Sequence, residues 1–220
     1  EIYTRSLVGS VDVYKRQSDD DDDFDEVDYV TAEVLRDRLC LDMDLHHAGE
    51  DIRCLNNIAS PVQTIRDTLM LMPHDTPEQL DALRSRLSKV PASLNGYKDS
   101  LIEAASRGMV APQRQISDVF VQSERLADAG SMLEDLGLDA DSAEVTKAKQ
   151  AFGEFADWLS NELQPKAPSQ DAVGRERYER FSKLFVGDAV DLDEAYDWGL
   201  DQVRSIKAEQ EKICLLYTSP

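Results

Sequence analysis

The densest polar stretch of the chain is LHHAGEDIRCLNNIASP, from Leu45 to Pro61, which gathers His46, His47, Glu50, Asp51, Arg53, Asn56 and Asn57. Imidazoles and carboxylates are metal donors, and His47 and Glu50, three apart, would share a helix face. A bundle carboxylate site, however, takes Glu-x-x-His from two helices plus two further glutamates. Here the order is reversed, Gly49 interrupts the helix and no second copy exists. Neighbouring His46 and His47 point about 100° apart on a helix. The cluster therefore offers one ion two ligands and no obvious third. Two other readings stand beside metal binding. One is a helix end and ordered loop stitched by Arg53–carboxylate pairing and the Asn side chains. The other is the polar wall of a cleft whose chemistry is made elsewhere. We expect the seven residues to line a cleft, and we assign no catalytic or metal-ligating residue and no cofactor to the chain itself.

The remaining candidates are weaker. His74 follows Pro73 in a loop and has no companion, so exposure is expected. Cys40 is expected to pack on a helix face, and neither it nor Cys54 has the setting of a nucleophile. Trp158 and Trp198 read as core. Glu176 and Glu179 with Arg175, Arg177 and Arg180 read as a solvated charged face. The sequence contains no G-x-S-x-G, no P-loop, no G-x-G-x-x-G and no H-E-x-x-H, so on its own chemistry it is not a complete enzyme.

Charge narrows the partners. With 44 acidic and 24 basic side chains the formal net charge is −20. Nucleic-acid binding needs clustered Lys and Arg to release counterions, and an anionic membrane surface makes the same demand. Neither partner is expected. No apolar run approaches the roughly 18 residues of a transmembrane helix. Cys40 and Cys54, without C-x-x-C spacing, suggest reduced thiols and a cytoplasmic location.

The two ends read as non-native. DVYKRQ (12–17) and CLLYTS (214–219) are translations of reverse-complementary DNA, as expected of a sequencing-library adapter with a transposon end. Residues 1–17 and 214–220 are therefore set aside as adapter-derived. Residues 18–28, with five consecutive aspartates from Asp19 to Asp23, read as a disordered acidic arm. Residues 29–213 read as one helical domain, the N-terminal fragment of a longer protein.

Helices are needed to place the cluster, and their signals are strong. Val27, Val30, Val34, Leu41 and Leu45 recur at helical spacing before Gly49. Ser60-Pro61-Val62-Gln63 and Thr76-Pro77-Glu78-Gln79 each combine an N-cap hydroxyl, a proline in the first turn and a capping-box glutamine. Leu80, Leu83, Leu87 and Val90 precede Pro91, and Leu94, Leu101 and Ile102 run on to Gly108. Pro112 opens a segment through Ile116, Val119, Phe120 and Leu126. After a loop at 136–142, Val145, Ala148, Phe152, Phe155, Leu159 and Leu163 make the most regular stripe, expected to pack on Leu83/Leu87 or Leu192/Val203. Tyr178, Phe181, Leu184 and Phe185 end at Gly187, and Asp191 to Glu194 caps a last helix. No stretch alternates with period two. The fold class is all-α, with roughly seven or eight helices and no sheet.

HHAGEDIRCLNNIASPVQTIRDTLMLMP, KVPASLNGYKDSL, RGMVAPQRQI, DAVGRERYERFSKLFVG and VDLDEAYDWGLDQV, taken together and in order, resemble the N-terminal half of a bacterial family, domain of unknown function 885. The resemblance implies a helical zinc-metallopeptidase-like fold with a groove between two helical halves. It places the zinc helix, of His-Glu-x-x-Pro-Gly-His type, in the C-terminal half, so no ligand carries over to this chain. It implies zinc for the full-length parent, whose bound water would approach neutral pKa. The implied partners are the missing C-terminal half and a peptide substrate. A non-catalytic helical scaffold or interaction module is the alternative.

Overall fold

A computed structural model of the chain describes residues 25–218, with side chains as far as residue 214. Among them are eight α-helices and no strand. In chain order these are α1 (Glu26–His47), α2 (Pro61–Met70), α3 (Pro77–Leu87), α4 (Val90–Ser106), α5 (Gln113–Ala127), α6 (Ala143–Trp158), α7 (Arg175–Val186) and α8 (Leu192–Thr218). The segments read as adapter lie outside the described residues except for 214–218, which continue α8.

The chain divides into two compact units, 1–44 and 45–220. In the first, Asp25 caps α1: its Oδ1 accepts from the amides of Val27 (2.8 Å) and Asp28 (2.9 Å). Glu26 and Asp28 lie in the first turn, where negative charge meets the free N–H groups. The helix therefore begins inside the stretch read as a disordered arm, because the acids that argue against a core also make a good N-terminus. Val27, Val30 and Val34 are 60–70% exposed, and Cys40 is exposed rather than packed. Within the described part of its own unit, α1 has no second element to meet its stripe.

The second unit is built around α6. It packs on α5 most extensively, then on α4 and α3, while α2 meets α4 and α3. The whole stripe Val145, Ala148, Phe152, Phe155, Leu159 and Leu163 is at most 3% exposed. It shares one cluster with Leu83 and Leu87 of α3, Leu94 and Leu101 of α4, and Ile116 and Val119 of α5. Each of the Val, Leu, Ile and Phe side chains contributes roughly 1.5–3 kcal/mol on burial. The expected pairing with Leu83 and Leu87 is the one formed.

The end of α6 is less regular than its stripe. A π turn, Leu159–Leu163, leads into a 3₁₀ turn, Gln164–Lys166. Pro165 has no N–H to give, and in a continued α-helix its ring would press on the carbonyl of Asn161. The change of pitch still leaves Leu159 and Leu163 facing the core. The loop after α5 is also part of the core, since Leu133, Leu136 and Leu138 are all buried.

The caps form with one difference, since the Ser60 hydroxyl donates to Asn56 O and Gln63 Oε1 instead of accepting from an α2 amide. Gln63 Oε1 accepts from the Ser60 amide (2.9 Å), and Gln79 Oε1 accepts from the amides of Asp75 (2.8 Å) and Thr76 (3.2 Å). Asp191 Oδ1 accepts from Asp193 and Glu194 at the start of α8. Tertiary placement is where expectation and structure part. Trp158 is buried, but Trp198 is 66% and Val203 64% exposed. Among the described residues neither α7 nor α8 packs extensively on another helix. A stripe fixes which face is apolar; it does not fix which element meets it.

Candidate functional site

The seven polar residues do not act as one group. Helix α1 ends in a left-handed turn at Gly49 (φ +72°), where a Cβ would come within 2.7 Å of Met109 Cε. The Gly49 amide donates to His46 O and that of Glu50 to Leu45 O, closing the helix through a positive-φ residue. This turn separates the histidines from Glu50.

His46 and His47 remain outside. Both are exposed, and their ring centroids lie 6.0 Å apart at a 55° tilt. His46 Nδ1 lies 2.7 Å from Asp51 Oδ2. Desolvation works to raise the Asp51 carboxyl, but the His46 hydrogen bond and charge and two backbone amides together hold it below its ordinary value.

Glu50 turns inward and is 8% exposed. Its carboxylate is clamped by Arg177 of α7, a residue 127 positions away. Arg177 Nε donates to Oε1 and Oε2 (3.0 Å each) and Nη2 to Oε2 (2.8 Å). Arg53 stands on the other side, Nη1 at 3.8 Å from Oε1, too far for a hydrogen bond. Burial and the nearby Arg177 charge both lower the Arg53 guanidinium from its usual value. Of the Arg53–carboxylate pairing expected from sequence, only this loose contact exists; Arg177 is the true partner.

Asn56 and Asn57 shape the loop. Asn56 Oδ1 accepts from the amides of Ile58 (2.9 Å) and Ala59 (2.6 Å), an Asx turn. The Asn57 amide donates to Gln115 Oε1 (2.8 Å), and its carbonyl accepts from Gln122 Nε2 (3.0 Å). Gln122 Oε1 in turn accepts from Gln63 Nε2 (2.7 Å). Tyr97 of α4 donates its hydroxyl to Cys54 O (2.7 Å), and burial raises that phenol far above its ordinary value. The loop is thus fastened to α2, α4 and α5 by side chains that have given up their hydrogen bonds to it. Burial likewise raises the Cys54 thiol, the wrong direction for a nucleophile.

Glu50, Arg53 and Asn56 line a cavity of about 530 Å³. Its other walls are mainly apolar, from Leu55, Ala111 and Pro112 on one side and Tyr178, Phe181 and Phe185 of α7 on the other. Arg177 also lies over the Phe181 ring, 5.4 Å from its centroid. His46, His47, Asp51 and Asn57 are not among the lining residues. The α7 contribution was not read from the sequence, where Arg177 was placed on a solvated face. The available signal was the spacing of Tyr178, Phe181 and Phe185, an aromatic stripe on an otherwise charged helix.

The arrangement does not suit a metal ion. Glu50 is committed to Arg177 and His46 to Asp51. Among the described residues no group of three or more His, Cys, Asp or Glu could hold one. What remains is a cleft with a fixed ion pair at one end and an apolar body.

Comparison with curated proteins gives no match. Residues 11–217 match the family model described as bacterial protein of unknown function (DUF885), and the chain belongs to that family.

Proposed function

We propose that this chain supplies a non-catalytic groove wall to a larger hydrolase of the zinc-metallopeptidase type. The observation that carries the reading is the cleft between the 50–60 loop and α7. It is sized for a small ligand or a few residues of a chain, and its side chains are engaged in holding shape. A cleft of that kind binds and orients; it does not supply a nucleophile or a metal. The exposed apolar residues of α7 and α8, among them Phe185, Tyr196 and Trp198, support a further covering partner. In this reading the partner is the C-terminal half that the family resemblance implies, and zinc and the peptide substrate belong to the assembled protein. No step of the reaction is assigned to residues of this chain.

The test is to read the gene onward from Ile213 and assay the extended protein. The expected result is a helix of the His-Glu-x-x-Pro-Gly-His type and peptide hydrolysis abolished by a chelator. An extension with no such helix overturns the hydrolase reading and leaves a helical scaffold or interaction module.

A further inference from the structure

In a chain of net charge −20, the cavity end is surrounded by guanidinium groups, and most of them are already matched. Arg177 is bound by Glu50. Arg175 pairs with Asp193 and Glu179, and Arg180 lies 3.5 Å from Glu176. The other carboxylate lining the cavity, Asp171, is taken by Arg114 at 2.6 Å. Arg180 and Arg53 have no hydrogen-bonded acceptor, and of the two only Arg53 lines the 530 Å³ cavity. Its guanidinium, with the side chain only 21% exposed, has the 3.8 Å contact to Glu50 and no hydrogen bond to the protein. Its five N–H donors form a fixed fork with no protein acceptor, and none of its nitrogens is sealed from solvent, so an incoming carboxylate can reach them.

Arg53 also stands at a junction. It lines the 530 Å³ cavity and a neighbouring one of about 300 Å³, beside Arg177, Arg180 and the uncapped first turn of α7. Glu176 lies in that same first turn, so what an anion would meet is the Arg53 fork itself rather than a surplus of positive charge. Arg53, Arg114, Arg175, Arg177 and Arg180 are balanced by Glu50, Asp171, Glu176, Glu179 and Asp193, so no surplus charge draws in a polyanion. The single fork facing the cavity without a hydrogen-bonded acceptor suits one carboxylate. The apolar walls at Leu55, Ala111, Pro112 and Phe181 require the rest of the ligand to be hydrophobic.

We infer that this cavity binds a monocarboxylate with an apolar, preferably aromatic, body, the carboxylate seated on the Arg53 guanidinium and the body against Phe181 and Leu55. The inference rests on the groove-wall reading only for its cleft, and on nothing about zinc. The fork of Arg53 can meet the two oxygens side by side, a geometry that an amide does not reproduce, while inorganic phosphate can match the fork but has no apolar body for the walls.

Calorimetric titration of the 220-residue chain with N-acetyl-phenylalanine, its amide and inorganic phosphate tests this directly. The acid should bind about tenfold or more tightly than the amide, the size expected when a charge-assisted pair is lost. Phosphate should bind far more weakly than the acid. In Arg53→Met the preference for the acid should vanish. Equal binding of acid and amide, no binding of either at millimolar concentration, phosphate binding that matches the acid, or discrimination that survives in Arg53→Met each overturns the inference. The comparison of acid with amide needs no variant, so a folding defect cannot obscure it. A negative result here leaves the groove-wall reading standing, since that reading is decided by the extended gene.

Discussion

Helices α6 and α8 are alike in sequence and opposite in the structure. Each begins with an acidic first turn and carries apolar residues at helical spacing. The α6 stripe is shut inside three neighbouring helices, whereas Tyr196, Trp198, Val203 and Ile206 of α8 are 54–68% exposed. The difference lies in company rather than in local preference. α6 is met by the stripes of α3, α4 and α5, whereas among the described residues α8 has no comparable partner. Helix formation is therefore encoded twice, and burial once.

The largest effect expected from this contrast is in the core. Phe152→Ala should destabilise the chain by about 3–5 kcal/mol, because a fully buried ring leaves a cavity. Trp198→Ala should change stability by no more than about 0.5 kcal/mol, as for an exposed site. Urea unfolding of both variants checks the pair, and comparable losses would mean that α8 belongs to the core.

Next comes the clamp that joins α7 to the 50–60 loop. Glu50→Ala leaves the Arg177 and Arg53 guanidinium groups without their shared carboxylate, at a cost of about 3 kcal/mol. The double variant Glu50→Ala/Arg177→Met should recover part of that loss. Hydrogen exchange along α7 should rise in the single variant while α6 stays protected; uniform change would show that the clamp is not local.

Much of this was legible in the sequence. The caps at Ser60, Thr76 and Asp191, the break at Pro91 and the Phe152–Phe155 stripe are local devices, and each acts within a turn or two. The buried leucines at 133, 136 and 138 were not legible, since loop residues have no period to betray them. Nor was Arg177: pairing across 127 residues leaves no local mark, and on its own helix it looks like one more charge. The candidate cluster was legible only in part, since Glu50, Arg53 and Asn56 line the cavity and His46, His47, Asp51 and Asn57 do not. His46, His47 and Glu50 are close in sequence, but Gly49 turns the chain between them and sends the carboxylate to a distant partner.

Smaller effects test the local devices. Thr76→Ala removes the hydroxyl that accepts from the Gln79 amide and should cost about 1 kcal/mol, readable as a modest drop in the melting temperature.

The smallest is a pH effect at the junction of the 131–138 loop with α6. The Lys149 hydrogen bond, helped by the Gly130 amide, holds the Glu134 carboxyl below its ordinary value. A carboxyl lowered in the folded state stabilises the fold above the unfolded value near 4.5. That contribution is lost as pH falls through the folded value. Stability followed from pH 7 to pH 3 should fall less steeply in Glu134→Gln than in the parent chain. An identical slope would show that the contact does not persist in solution.

The central claim is that Glu50, Arg53 and Asn56 wall a cleft and that the stretch around them is not a metal centre, and zinc titration followed by calorimetry reaches it most directly. With Glu50 held by Arg177 and His46 by Asp51, the chain should show no stoichiometric binding in the submicromolar range. Stoichiometric submicromolar binding that disappears in His47→Ala would contradict the account, and would place a metal site where the structure puts a helix end and a salt bridge.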